Sequence, residues 1–314
     1  MKQVARLLRA EQAGLALALV LLCLVLAALS PVFLSAANLK NVLRDASLIA
    51  IAGIGLSVVI LAGEIDLTAG SAQAVVGILA VWLLNQSDSM ALALLGALGA
   101  GCLIGLANGL LVTRAGINSL IATLGTMAIL RGGAMVSTQA VSIQARVPGF
   151  ERIGTGHLGP IPIPVLLAAA LFALFYFLLH HTPAGRYLYA VGGNARAARL
   201  AGLPVERLKL TAFVISGVLA ALSAFILASR LNSGQPNAGL GFELQVIAAV
   251  VLGGVSLTGG VGTLGGACLG ILILTALSNG LVLLDVSSFY HDIARGAVII
   301  LAVYLDSRRR ERLR

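Results

Sequence analysis

TPAGRYLYAVGGNARAARLAGLPVERLKL, residues 182–210, is the longest polar interval between two hydrophobic blocks of this chain and carries five cationic residues, Arg186, Arg196, Arg199, Arg207 and Lys209. Asn194 is a good helix N-cap, Ala195 to Ala201 reads as a short Ala/Arg/Leu helix, Gly202 suits the left-handed residue just past a helix end, and Pro204 forbids continuation. Isolated helices shorter than about 12 residues do not persist in water. A helix of this length therefore needs a surface to hold it, and Arg196 and Arg199, three apart, share one face on which a partner can sit. The plainer alternative is a solvated loop between two helices.

The blocks on either side settle the environment. Of 314 residues, 59% are hydrophobic and 11% charged, and the mean hydropathy is +1.02, a balance that belongs in a bilayer. A hydrocarbon core of about 30 Å needs roughly 20 apolar residues per helix. The expected spans are Gly14–Leu29, Ser47–Gly63, Thr68–Leu84, Met90–Thr113, Leu120–Thr138, Pro164–His180, Thr211–Ser229, Glu243–Leu257, Thr263–Leu284 and Asp292–Leu305. The fold expected is thus an all-α integral membrane protein, one domain over residues 1–314, with about ten helices and both termini inside. The first span reads as uncleaved. The 37 glycines suit helices packed through small residues, some of them broken.

Charge supports that orientation. Lys2, Arg6, Arg9, Arg114, Arg186, Arg196, Arg199, Arg207, Lys209, Arg308, Arg309, Arg310, Arg312 and Arg314 fall on the proposed inner side, fourteen of the 21 cationic residues. The net charge of +9 is accordingly an orientation signal, and the tail Arg308 to Arg314 an anchor on anionic lipid instead of a nucleic-acid patch. Residues 139–162 and 231–241 are then the substantial outer loops.

Soluble chemistry is absent from the pattern. None of Lys2, Lys40 and Lys209 follows a glycine, so no phosphate-cradling Walker loop exists. Gly260-Val-Gly262-Thr-Leu-Gly265 has dinucleotide-fingerprint spacing but lies in an apolar span, where a tight turn explains it better. His157, His180, His181 and His291 lack zinc-site spacing, and Cys23, Cys102 and Cys268 sit inside apolar blocks as small hydrophobes. No catalytic or metal site is expected.

The segment at 182–203, together with GEIDLTAGS at 63–71, NSLIATLGTM at 118–127 and LGGVSLTGGVGTLGG at 252–266, resembles the permease subunits of ATP-binding cassette (ABC) importers for ribose, xylose, galactose and related monosaccharides. The motifs occur in the family's order over nearly the whole chain. The resemblance implies a type II importer bundle whose coupling segment, here Gly185, Arg186, Gly192, Gly193, Asn194, Arg196, Ala198, Arg199 and Gly202, docks in a cleft of the ATP-hydrolysing subunit. It also implies an external binding protein landing on the outer loops, a second permease copy or sister permease, and the bacterial inner membrane. ATP and Mg would be held by the partner ATPase, leaving this chain without a cofactor. Two positions depart from the family's pattern: Glu64 stands where Gly is expected, and Asn118 where Pro is expected.

Membrane acids need a reason. Asp66 is placed to cap the helix that follows it, and Glu64 and Asp66 together mark a helix break. A proton or sodium site at these acids, as in a secondary transporter, is the competing reading. GGVSLTGG at 253–260 repeats the wording of 63–70 without an acid. Asp292 and Arg295 are spaced to pair on a helix face. Candidates for a polar solute path are Ser71, Gln73, Asn108, Asn118, Ser119, Thr123, Thr126, Gln245 and Asn279, whose amides and hydroxyls can exchange hydrogen bonds with a neutral polyol.

Overall fold

The computed structural model describes residues 2–287 together with 290, 293, 296, 297, 300 and 304, residues 2–11 by their backbone only. Most of the proposed span Asp292–Leu305, both members of the Asp292–Arg295 pair and the basic tail Arg308 to Arg314 lie outside the described residues, as do the side chains of Lys2, Arg6 and Arg9. The chain is helical: α1 (Lys2–Leu29), α2 (Ala36–Leu61), α3 (Ala69–Ser87), α4 (Met90–Thr113), α5 (Ser119–Thr138), α6 (Glu151–Thr155), α7 (Ile163–His181), α8 (Pro183–Gly193), α9 (Ala195–Leu200), α10 (Val205–Leu231), α11 (Phe242–Leu252) and α12 (Leu264–Leu283). Among the described residues there are also four two-residue strands: β1 (Ile143–Gln144), β2 (His157–Leu158), β3 (Ile161–Pro162) and β4 (Ser233–Gly234). Among the described residues eight helices, α1 to α5, α7, α10 and α12, are long and apolar enough to cross a membrane.

The expected span Glu243–Leu257 needs correction. Its helix, α11, has only 11 residues, about 16 Å at 1.5 Å per residue and half of a bilayer core. It stops because the backbone runs into Gly253, Gly254 at φ +87°, and a turn with Gly259, Gly260 and Gly262 all at positive φ, conformations that glycine reaches without steric cost.

Several helices begin on side chains that satisfy free backbone amides. Ser35 and Ser89 each accept at 3.3 Å, from Asn38 and Leu92, and Thr263 accepts from Gly266 at 3.1 Å. The centre of the bundle is α10, packed on α4, α2 and α3. Helix α4 presents Ala97, Gly101, Gly105 and Gly109 at four-residue spacing. A Cβ built on Gly101 would lie 2.4 Å from the Gly217 carbonyl oxygen, and one on Gly105 2.3 Å from that of Phe213. The two backbones touch there, which is how helices associate in lipid without a hydrophobic drive between them.

Connections sort to two ends. At one end Gln12 donates to Thr263 at 2.8 Å, and the end of α2, the α8–α9 segment and the start of α12 gather beside them. At the other, β1 pairs antiparallel with β4, Ile143 opposite Gly234, joining the two segments expected to lie outside. Asn85 ties α3 to this pair, donating to the Gln144 carbonyl at 2.9 Å and accepting from the Arg146 amide at 2.8 Å. Residues 231–241 do not stay at that surface. Gly234 packs on Gly77 and Ile78, and Gly239 on Gly70 and Gln73, so the segment descends along α3 by about 10 Å before α11 begins inside the bundle. Arg131 of α5 holds this descent, donating to the carbonyls of Pro236 (3.0 Å), Ala238 (2.7 Å) and Gly70 (3.3 Å).

Candidate coupling site and solute path

The segment 182–204 folds as two short helices around Asn194. Thr182 caps α8 by accepting from the Gly185 amide at 3.4 Å, with Pro183 at the first helical position, and Asn194 caps α9 by accepting from Ala197 at 2.9 Å. Gly202, at φ +80°, turns the chain before Pro204 and α10. Neither helix stands alone. Val191, Ala198 and Val205 form a small buried cluster, and Gly185 packs so closely on the end of α7 that a Cβ would sit 2.2 Å from the Leu179 carbonyl oxygen. Outward, the segment offers the exposed Arg186, Gly193, Asn194, Arg196 and Arg199 and an apolar knob, Leu200, which is 85% exposed.

Arg196 and Arg199 are not equivalent. Arg199 pairs with Glu206 of α10, Nε to Oε1 at 3.2 Å, so its charge is already answered, whereas Arg196 has no side-chain partner among the described residues. The glycines also divide. Gly193 has helical backbone, and a Cβ on it would meet nothing within 4 Å; it is Gly192 that has no room. A Cβ on Gly192 would lie 1.8 Å from the Leu61 carbonyl oxygen and 2.6 Å from the Gly260 amide nitrogen.

That contact joins three segments. Gly260 donates to the Leu61 carbonyl at 3.1 Å, Gly63 faces Gly192 and Gly259, and Tyr189 donates to the Gly262 carbonyl at 3.0 Å. Burial pushes the Tyr189 phenol up to about 12. The breaks after α2 and after α11 therefore meet each other and the α8 end at one point. They also share local chemistry. Asp66 accepts from the Thr68 amide at 2.9 Å and hydroxyl at 2.6 Å, and at the matching positions Ser256 and Thr258 share a hydrogen bond of 3.1 Å.

Both acids of the first break have partners. Glu64 forms an ion pair with Lys209, in side chains only 11% and 19% exposed, and the second carboxylate oxygen of Asp66, a buried residue, accepts from Ser216 at 2.8 Å. Asn108 donates to Thr68 at 3.3 Å, Ser119 accepts from the Ile65 amide at 3.2 Å, and Thr123 donates to the Ser119 carbonyl at 2.7 Å. With Ser71, bonded to the Thr68 carbonyl at 3.0 Å, these expected path residues are buried and bind the break to α3, α4, α5 and α10. Asn118 is exposed and caps α5, accepting from Leu120 at 3.0 Å. Thr126 is half-buried on α5. Gln73, Gln245 and Asn279 converge elsewhere, on one polar cavity.

Sequence reading missed Leu200, Tyr189 and Arg131. An exposed leucine beside two arginines, and an arginine within an apolar run, were the available signals; the tyrosine gave none.

A multi-spanning bundle with two broken segments, and a capped elbow of short helices resting on both breaks, defines the membrane-spanning permease subunit of an importer. Over residues 38–303 the chain matches the family model described as branched-chain amino acid transport system / permease component, and it belongs to that family. It is 41% identical over 295 residues to the ribose import permease protein RbsC of Haemophilus influenzae, covering 93% of this chain and 91% of the relative. The Bacillus subtilis ribose import permease protein RbsC is 40% identical over 301 residues, covering 95% and 94%. The L-arabinose ABC transporter permease protein AraH of Azospirillum brasilense is 38% identical over 304 residues, covering 97% and 90%. The chain is a multi-pass ABC permease subunit, a transport component and not an enzyme.

Proposed function

We propose that this chain forms the membrane pathway of an ABC importer that takes up a monosaccharide or similar small polyol, delivered by an external binding protein landing on the β1–β4 face. The relatives named for ribose and L-arabinose import support the sugar class. A separate cytoplasmic ATPase binds ATP and Mg and engages the exposed side of α8 and α9, with Leu200 as its apolar anchor. The permease pairs with a second copy or a sister permease in the bacterial inner membrane. Both termini are cytoplasmic, and the ten crossings comprise the eight long helices, α11 with its break, and residues 292–305.

The observation that carries this reading is the Gly192 contact with Leu61 and Gly260. An elbow seated on both breaks can pass a displacement by the ATPase into the membrane, because backbone contacts without side chains between them have no soft layer to absorb it.

The test is uptake of D-ribose and L-arabinose into proteoliposomes holding the permease, its ATPase and its binding protein. ATP-dependent uptake that survives a proton uncoupler supports the proposal. Uptake abolished by the uncoupler while ATP is maintained would establish the proton-coupled alternative.

A further inference from the structure

The half of the bundle away from the coupling elbow contains a cavity of about 510 Å³ between α2, α3, α10, α11 and α12, within the roughly 300–1,000 Å³ range of small-molecule sites. It lies inside a single copy of the chain. Asp45, Gln73, Arg230, Gln245, Ser278 and Asn279 are among the polar residues that line it. Some of that capacity is committed. Asn279 exchanges two hydrogen bonds of 2.9 Å with Asn38, and Gln73 donates to Ser223 at 3.4 Å. Among the described residues, the Gln245 amide and the Ser278 hydroxyl have no side-chain hydrogen bond to the protein. Both residues are half-buried, so their amide and hydroxyl are free to exchange hydrogen bonds with a molecule that enters this space.

The walls define what that is. Asp45 and Arg230 form an ion pair across α2 and α10, so the cavity contributes no net charge and gives a charged solute as much repulsion as attraction. Carboxylate and guanidinium are each able to hold two neighbouring hydroxyls. Phe242 and Ile49 add apolar surface for the C–H face of a ring. One helical turn from the lining residues Ile49 and Thr275, α2, α11 and α12 pack closely. A Cβ on Gly53 would meet Ile271 at 3.1 Å, Val250 at 3.4 Å and Val246 at 3.7 Å, and these three side chains are buried.

We infer that this cavity is a solute-binding site within each permease copy, which takes a neutral polyhydroxylated molecule of monosaccharide size, with Gln245 and Ser278 as direct contacts and the Asp45–Arg230 pair selecting against charged solutes. The inference rests on the sugar-importer reading. Helix α11 joins the site to the coupling elbow. It carries Gln245 at one end, and its other end leads into the turn that Tyr189 and Gly192 hold. A shift of the elbow thus moves one wall of the solute site and loosens the Val246–Val250–Ile271 layer beneath it.

Two measurements on the complete complex in vesicles test this. The first is uptake of D-ribose and L-arabinose by Gln245→Leu and Ser278→Ala. Losing one hydrogen bond should raise the KM for solute about three- to tenfold while the maximal rate stays within about twofold. The second is labelling of Ser278→Cys by a small, neutral, hydrophilic thiol reagent added from the binding-protein side, with modification at position 278 read by mass spectrometry. It should be labelled, and the transported sugar should protect it. Unchanged KM in both uptake variants, or labelling that the transported sugar does not slow, would overturn the inference. If the wild type imports neither sugar, the parent sugar assignment fails by itself. The labelling then still decides whether the cavity is open to the outside, and an unlabelled position 278 overturns the site.

Discussion

Gly192 and Leu61 meet backbone to backbone: a side chain on Gly192 would place its Cβ 1.8 Å from the Leu61 carbonyl oxygen, the same oxygen that accepts the Gly260 amide at 3.1 Å. One carbonyl at the end of α2 thus lies under the coupling elbow and holds the second break. The geometry makes the elbow and the two breaks one mechanical unit, of which α11 is the arm that reaches towards the polar cavity.

Glu64 and Lys209 secure the first break to the start of α10. Glu64→Gln leaves the Lys209 ammonium largely buried without its counter-charge, which should destabilise the permease by roughly 3 kcal/mol. The double variant Glu64→Gln, Lys209→Met should lie within about 1 kcal/mol of wild type, because removing both charges removes the uncompensated one. Thermal unfolding in detergent checks this. Equal stability of the single variant and wild type would show that the pair does not hold the break.

Tyr189 reports on the second break. Replacing it with Phe removes its hydrogen bond to Gly262, a loss of about 1 kcal/mol. A second signature follows from its raised pKa. The folded state keeps the phenol proton that the unfolded chain begins to release near the ordinary tyrosine value of 10.0. This contribution to stability is complete below about pH 10 and is lost as the pH climbs from there towards about 12. Melting temperature measured across that window should therefore fall less steeply for Tyr189→Phe than for wild type.

The exposed face of the elbow divides into a charge and an anchor. Arg196→Glu should leave folding unchanged and weaken ATPase association in a salt-dependent way, since a rim charge acts mainly on encounter and register. Leu200→Ala should weaken the same association by about 1–2 kcal/mol with little salt dependence. Arg199→Glu is the less clean variant because it sets a second carboxylate against Glu206. Co-purification with the ATPase at low and high salt separates these outcomes.

Topology follows from the short α11. Reporter fusions after Arg199 should report the cytoplasm, and fusions near Pro148 and after Asp285 the outer side, since α11 and its glycine turn descend and α12 returns. A cytoplasmic signal after Asp285 would contradict a crossing completed by α11 and its break.

The long helices were legible because apolar length is a local property, and so was α9, whose Asn194 cap and Gly202 stop are written within nine residues. Helix α8 was not read, although Thr182 and Pro183 are an ordinary helix start, because its glycines lower intrinsic helix propensity and its support comes from packing. The short α11 was read as one continuous helix since an apolar run bordered by glycines looks the same whether the helix continues or breaks. The candidate path residues were chosen for being polar within spans, a property shared by side chains that bond helices together and side chains that face a solute. Asn108 and Thr123 make hydrogen bonds around the first break, and Gln245 lines the cavity. Pairing across distance left no local trace: Glu64 and Lys209 are separated by 145 positions, and Arg131 reaches carbonyls 61 to 107 positions away.

The most direct test of the coupling account compares Gly192→Ala with Gly193→Ala in the reconstituted complex, measuring solute-stimulated ATP hydrolysis and uptake together. The two positions are adjacent, but a methyl group at 193 enters open space, whereas at 192 it drives the elbow away from Leu61 and Gly260. The account predicts that both variants assemble with the ATPase, that Gly193→Ala keeps wild-type rates, and that Gly192→Ala loses at least about tenfold in uptake, equivalent to roughly 1.4 kcal/mol of coupling. Gly192→Ala with normal assembly, normal stimulated hydrolysis and normal uptake would contradict it.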